Sequence, residues 1–404
     1  MLQIFKSIKG DKAIWAVVTM LALFSFLPVY SASTNLVYVV GKGTTLGYLI
    51  RHTILLLLGF VIMYAVHKLP FKYFKGIAIL FVPLVIVLLV VTMLQGTTIG
   101  GANASRWIQL PFVGMSFQPS TLASLVLMVY VAGYLAKIKD KKITFKDSIL
   151  PLWAPVAVVL MLILPANFST TAIIFFMVCV LCFLGGYPIK YLLSIIGVGI
   201  LSLTFFVLVA KAFPGLFPNR VDTWISRVEN FVSADENIND DYQILKAKTA
   251  IALGNVTGVG AGKSVMKNFL PQSTSDFIFA IIVEEYGLVG AVVLLLSYLF
   301  LLFRIIIVSQ KCDSVFGKLL VMGVGLPIIF QAFINMAVAV ELFPVTGQTL
   351  PLISSGGTST WMTCIALGII LSVSAKRDEF KEEEVLKENL EEEINPLEVL
   401  SEQL

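Results

Sequence analysis

Three carboxylates fall within ten residues of one another in NFLPQSTSDFIFAIIVEEYGLVGAVVLL, residues 268–295. Asp276 follows a polar, turn-prone run (Pro271, Gln272, Ser273, Thr274, Ser275), and Glu284 and Glu285 lie in the apolar stretch beyond it. A carboxylate can take a proton from a reacting hydroxyl. At membrane depth it costs about 2.5 to 3.5 kcal/mol at a helix centre, so something must compensate it. On a helix turning about 100° per residue, Asp276, Ala280, Gly287, Gly290 and Ala291 share one narrow face, with Glu284 at its edge roughly 12 Å deeper and Glu285 pointing the opposite way. Small residues there suit close helix packing, or a cavity with Asp276 at its mouth. Asp276 equally suits a helix cap, where the dipole and free N–H groups favour an acid. These residues alone leave both readings open.

The elements that must position this segment are membrane spans. A chain of 404 residues that is 58% hydrophobic and 13% charged is no soluble domain. Apolar runs of about 20 residues fall near 13–31, 48–67, 76–95, 119–136, 148–164, 169–186, 191–213, 276–303, 317–341 and 359–375. The expected fold is all-α, a polytopic integral membrane protein with about ten transmembrane helices. A tight Pro165-Ala166-Asn167 turn separates the fifth from the sixth. The first run is too long for a signal-peptide core and reads as an uncleaved span.

Lysines of the short loops, among them Lys68, Lys72, Lys75, Lys137, Lys139, Lys190, Lys311 and Lys318, fall on the side of the N-terminus. The positive-inside rule then makes both termini cytoplasmic, residues 1–12 at one end and an acidic tail, 376–404, at the other. Asp276 stands on the outer side, closing one long extracytoplasmic loop, 214–275, between helices 7 and 8. A structureless loop of that length is uncommon and usually functional. The net charge of +4 hides a Glu-rich tail and Lys-rich loops, so no nucleic acid is expected as a partner. Cys179 and Cys182 read as small buried residues, and His52 and His67 as markers of the two ends of one helix.

Within the long loop Arg220, Arg227, Gln243, Lys246, Lys248, Lys263 and Lys267 gather toward Asp276. Ile244 to Leu253 suits an amphipathic helix on the membrane surface, so the loop fits a ligand with an anionic head and a lipid tail. The run TGVGAGKS, 257–264, approaches a P-loop but has Thr257 at the first glycine position and no preceding strand. Its glycines with Lys263 suit a phosphate cradle or a flexible hinge. Gly100 to Ser120 sets Arg106 beside Trp107, a cation and an aromatic at the interface. Pro344 to Ser359, broken by prolines and glycines, must be buried or line a cavity.

The segments TSDFIFAIIVEEYGLVG at 274–290, ASRWIQLPFVGMSFQPS at 104–120 and PVTGQTLPLISSGGTS at 344–359 resemble the signature segments of the SEDS family (shape, elongation, division and sporulation proteins). The similarity spans nearly all of the transmembrane domain, 13–375. It implies a peptidoglycan glycosyltransferase that polymerises lipid II and releases undecaprenyl pyrophosphate in the bacterial cytoplasmic (inner) membrane. It also implies a class B penicillin-binding protein and other divisome proteins as partners, and a divalent cation, Mg or Mn, with ligands unknown. The run GVGAGKSVMKNFLPQSTSDF, 258–277, looks closer to division members than to elongation members. Lipid II flipping is the competing class; Glu284, Glu285 and Glu341 keep a transport path open, though no internal repeat is read.

The family's essential acid matches Asp276. Sugar transfer from a pyrophosphate donor needs a base and positive charge for the leaving group. Asp276 is assigned as the base, and Arg106, Lys263 and Lys267, with Arg220 and Arg227 behind them, to the pyrophosphate. Trp107, Gln118, Glu284, Ser354, Gly356 and Gly357 complete the expected substrate contacts; for Glu284 a purely structural role is the alternative. Family members commonly have QPSE followed by a Lys, and PD-x-GT. Here Thr121, Ser124 and Asn167 replace two acids and one base, as expected of a buried charge cluster neutralised as a set.

Overall fold

The computed structural model describes residues 9–212 apart from 39–40, 42, 96–97, 100–101, 104–105, 110–115 and 140, and residues 240–376 apart from 271. Long apolar runs become helices because only a helix satisfies its own backbone in lipid. They are α1 (Lys12–Tyr38), α2 (Thr45–His67), α3 (Phe74–Gln95), α4 (Pro119–Ile138), α5 (Phe145–Ile163, with a π-turn at Ile149–Trp153), α6 (Phe168–Leu184) and α7 (Ile189–Ala212). After them come α8 (Asp240–Gly254), α9 (Ile278–Gln310), α10 (Val315–Ala339) and α11 (Gly357–Lys376). All except α8 match the expected spans, and polar side chains start several of them. Thr44 accepts from the Gly47 amide, Asn167 from Thr170 and Ser314 from Gly317.

Helices α9, α10 and α11 form the centre with α1, while α3, α4, α5 and α6 pack a second apolar cluster beside it. Helix α7 touches little beyond α6 and faces outward. Gly59 admits Cys364 and Gly368 admits Val66, so α2 lies directly against α11. The four cysteines are buried and form no disulfide with one another. His67 does end α2, but His52 lies inside it, buried, 2.8 Å from Ser25 of α1.

The region between α3 and α4 also holds two short hairpins, Thr98–Ile99 with Ala102–Asn103 and Ile108–Gln109 with Ser116–Phe117. Helix α8 lies where an amphipathic helix was expected, and its Ala247 and Ala250 are fully buried.

The largest departure from expectation is in α9. Gly287 has φ 66° and ψ −166°, which breaks the helix there. In an unbroken helix the amides of Leu288 and Val289 would bond to the carbonyls of Glu284 and Glu285. Instead Leu288 donates to the Asn255 carbonyl (2.9 Å) and Val289 to Val256 (3.2 Å). The Glu284 and Glu285 carbonyls accept from Val259 and Gly260, both at 3.0 Å. The stretch after α8 is thus spliced into the break and satisfies all four groups, each of which would cost several kcal/mol if left unpaired in lipid. Backbone meets backbone so closely that only glycine fits. A Cβ on Gly254 would lie 2.0 Å from the Val283 carbonyl oxygen, one on Gly258 2.2 Å from that of Glu285, and one on Gly287 2.3 Å from that of Val256. The glycine-rich run is therefore a clamped insert, not the flexible hinge its composition allowed.

Candidate functional site

Asp276 sits before the helix, not on it. Helix α9 starts at Ile278 with Phe277 in the capping position, and the Asp276 amide turns back to the Gln272 carbonyl at 3.2 Å. The Asp276 carboxylate is half-buried, and a Cβ added to Gly347 would lie 3.5 Å from its Oδ2. Gly347 has φ 66° and brings the third loop, 344–356, against the acid.

That loop is held to the acid's backbone by a polar lattice. The Asn335 side-chain amide donates to the carbonyls of Asp276 and Gln348, both at 2.7 Å. Ser354 donates to the Ser275 carbonyl and accepts from the Leu350 amide, each at 2.7 Å, while the Ser355 amide bonds to Thr274 at 2.9 Å. Gln331 donates to the Thr349 carbonyl at 2.9 Å, and Tyr298 to that of Pro351 at 2.5 Å. Gln348 extends the lattice to Thr170 at the start of α6 (3.0 Å).

The same end of α6 meets the first loop. Arg106 Nε donates to the Ala166 carbonyl at 2.6 Å, and with Thr92, Ser120 and Asn167 it lines a cleft of about 40 Å³. Trp107 and Gln118 are half-buried, and the Gln118 amide donates to Ser120 at 3.0 Å. At the positions where charges were expected by family pattern, Thr121 bonds to the Gln118 carbonyl and Asn167 caps α6. Neutral groups here make local hydrogen bonds that no buried ion pair is needed to complete. A chain of contacts therefore links Arg106, the α6 start, Gln348, Asn335 and Asp276.

Other expected contacts fall elsewhere. Glu284 and Glu285 do not point to opposite sides; both are buried and both close on the glycine-rich insert. Glu284 accepts from the Val265 amide (2.8 Å), the Met266 amide (3.2 Å) and the Ser264 hydroxyl. The Ser264 amide reaches Glu285 at 3.4 Å. Because α9 breaks at Gly287, the face of small residues drawn through Asp276 and Ala291 does not continue. Glu284, expected among the substrate contacts, thus holds the insert. Lys267, expected at the leaving group, is 9% exposed and donates to the Gly262 carbonyl (2.7 Å) and to Ser31 (3.1 Å). Glu341 pairs with Lys248 at the surface, so these three acids do not line up as a transport path.

Lys263 is exposed on the insert beside Gly260. Gly356 and Gly357 are half-exposed where α11 begins, and Gly357 has φ 40° in open space. Arg220 and Arg227 lie outside the described residues. The sequence reading missed Ser31, Thr170, Gln331, Asn335 and Gln348. Gln331 and Asn335 carried a signal: two amides four residues apart share one face of a helix that is otherwise apolar beyond Lys318, and polar groups at that depth need partners.

A family model described as "Cell cycle protein", covering FtsW, RodA and SpoVE, matches residues 11–379. A probable peptidoglycan glycosyltransferase FtsW from Nitrosococcus halophilus is 30% identical over 330 residues, 81% of this chain and 82% of its own. A protein of the same description from Geobacter sulfurreducens is 32% identical over 372 residues, 91% and 95% of the two chains. Among solved structures, a chain from "Structural coordination of polymerization and crosslinking by a peptidoglycan synthase complex" is 27% identical with a TM-score of 0.69, covering 91% of this chain and 98% of its own. The rod shape determining protein RodA of Thermus thermophilus is 25% identical with a TM-score of 0.63, covering 91% and 97%. Matched along nearly its whole membrane domain, the chain belongs to the FtsW, RodA and SpoVE family of cell cycle proteins, multi-pass membrane proteins of the SEDS type.

Proposed function

We propose that this chain is a peptidoglycan glycosyltransferase that polymerises lipid II into glycan strands during cell division. The observation that carries this reading is the half-buried Asp276 carboxylate, fixed through its own backbone by Asn335 where two loops and the start of α6 are laced together. Relatives named FtsW are described as peptidoglycan glycosyltransferases, which supports the reaction class and the division role.

In this reaction the Asp276 carboxylate takes the proton of the acceptor sugar hydroxyl as its oxygen attacks the anomeric carbon of the donor. The bond from that carbon to the pyrophosphate breaks with inversion, and undecaprenyl pyrophosphate leaves with the electron pair. Fixed positive charge lowers the barrier where the leaving oxygens gain charge. Arg106 and the exposed Lys263 are the cations assigned to it, and Trp107, Gln118, Gly356 and Gly357 shape the site around the sugars. Among the described residues no three His, Cys, Asp or Glu side chains gather as metal ligands. A divalent cation, when bound, would supply further positive charge to the leaving pyrophosphate. The chain works in the bacterial inner membrane at the septum. A class B penicillin-binding protein is its partner, since a solved neighbour couples polymerization to crosslinking.

The test is glycan synthesis from lipid II by the purified protein with its penicillin-binding partner, the partner's transpeptidase site inactivated. Wild type is expected to give a ladder of chains and Asp276→Asn none, with folding intact. Equal ladders would remove Asp276 from the mechanism. No ladder from either, with lipid II crossing a bilayer, would favour the flippase.

A further inference from the structure

Residues 264–285 close on themselves with Asp276 near the apex. At the base Glu284 accepts from Ser264, Val265 and Met266, and Glu285 from the Ser264 amide. The described residues of the arm rising from the base turn back on themselves in short hydrogen-bonded turns. Met266–Asn268 is a 3₁₀ turn, the Leu270 amide bonds to Met266 (2.9 Å), and the amides of Ser275, Asp276 and Phe277 all return to the Gln272 carbonyl. The other arm is the first part of α9. A shift at the base therefore reaches the acid at the apex.

One hydroxyl ties the base to α1. Ser31, 1% exposed, donates to Glu285 Oε1 and accepts from Lys267 Nζ at 3.1 Å. Glu285 Oε2 has no hydrogen-bond partner among the described residues. The Ser31 hydroxyl thus bridges the lysine's ammonium and this carboxylate. Buried opposite charges are costly unless well joined, and a hydroxyl donates and accepts at one atom, more strongly than a thiol does.

We propose that Ser31 is a positioning residue for Asp276, acting through Lys267 and Glu285; this rests on the glycosyl-transfer reading of Asp276. Helix α1 carries no motif assigned to the reaction, yet its Ser31 fixes the base of the closed segment whose apex is the acid. Alanine would remove the hydroxyl bridge between the Lys267 ammonium and the Glu285 carboxylate and let the base shift, which moves the acid relative to the acceptor.

The test uses the full chain with its partner on lipid II, comparing wild type, Ser31→Ala and Ser31→Thr. A misplacement of about 1 Å can lower turnover about a hundredfold. Ser31→Ala is expected to lower kcat about ten- to a hundredfold with KM for lipid II within about twofold, and Ser31→Thr to restore kcat to within about threefold. Hydrogen exchange should quicken in residues 264–277 of Ser31→Ala while α4 and α10 stay protected. Equal kcat in Ser31→Ala and wild type would overturn the proposal, as would Ser31→Thr as slow as alanine. If the alanine variant does not fold, Ser31→Cys replaces it: its weaker donor should give a kcat between those of alanine-like loss and threonine, and a kcat equal to wild type overturns the idea. Wild type that makes no glycan would sink the glycosyltransferase reading itself. Exchange then judges Ser31 alone, with quickening confined to 264–277 in its favour and unchanged or uniform exchange against it.

Discussion

The Asn335 side-chain amide lies 2.7 Å from the carbonyl oxygen of Asp276 and, through its second hydrogen, 2.7 Å from that of Gln348. One buried nitrogen on α10 thus joins the candidate base to the third loop. Asn335→Leu keeps the volume and strands both carbonyls, at about 1 to 3 kcal/mol for each buried acceptor left unpaired. Expected are a lower unfolding temperature in detergent and loss of glycan synthesis; unchanged synthesis would show that the joint does not set the acid's position.

Gly287 has no room for a side chain. Gly287→Ala places a Cβ 2.3 Å from the Val256 carbonyl oxygen at φ 66°, so the splice must open. The variant should yield little folded protein by size-exclusion chromatography. Gly76→Ala is the control, since nothing lies within 4 Å of its Cβ position, and it should behave as wild type.

For Glu284 the charge matters less than the acceptors. Glu284→Gln keeps an oxygen for the Val265 and Met266 amides, whereas Glu284→Ala leaves them and the Ser264 hydroxyl unpaired. Thermal unfolding should fall modestly for the first and steeply for the second. Equal losses would mean that the carboxylate acts through its charge.

Thr121→Glu introduces one acid where Thr121 now bonds to the Gln118 carbonyl. A lone charge at that depth lacks a partner, so it should harm folding or synthesis more than the triple change Thr121→Glu, Ser124→Lys, Asn167→Asp. The reverse order, read from expression and glycan yield, would end the view that the neutral set is coordinated.

The Lys248–Glu341 pair, 2.6 Å apart, is about half exposed at both ends. Glu341→Gln should cost under about 1 kcal/mol, a small shift in unfolding temperature that salt removes from the wild type.

The sequence by itself determined the spans, because a stretch of about 20 apolar residues has one way to satisfy its backbone in lipid. It also singled out Asp276 and the three loops, since turn-forming residues and an acid between apolar runs stand out against their surroundings. What it could not determine was where Glu284 and Glu285 point. A helical wheel assumes an unbroken helix, and Gly287 ends that assumption with a φ that glycine permits but does not require.

The tertiary structure alone decided that the glycine-rich run fills the break, for those hydrogen bonds join residues some thirty positions apart and depend on backbones meeting face to face. In the same way Lys267 became an internal partner of Ser31, a residue 236 positions away, and not a free cation. Charge and composition tell which groups need partners; which partners they find is set by packing, and packing is a property of the whole fold.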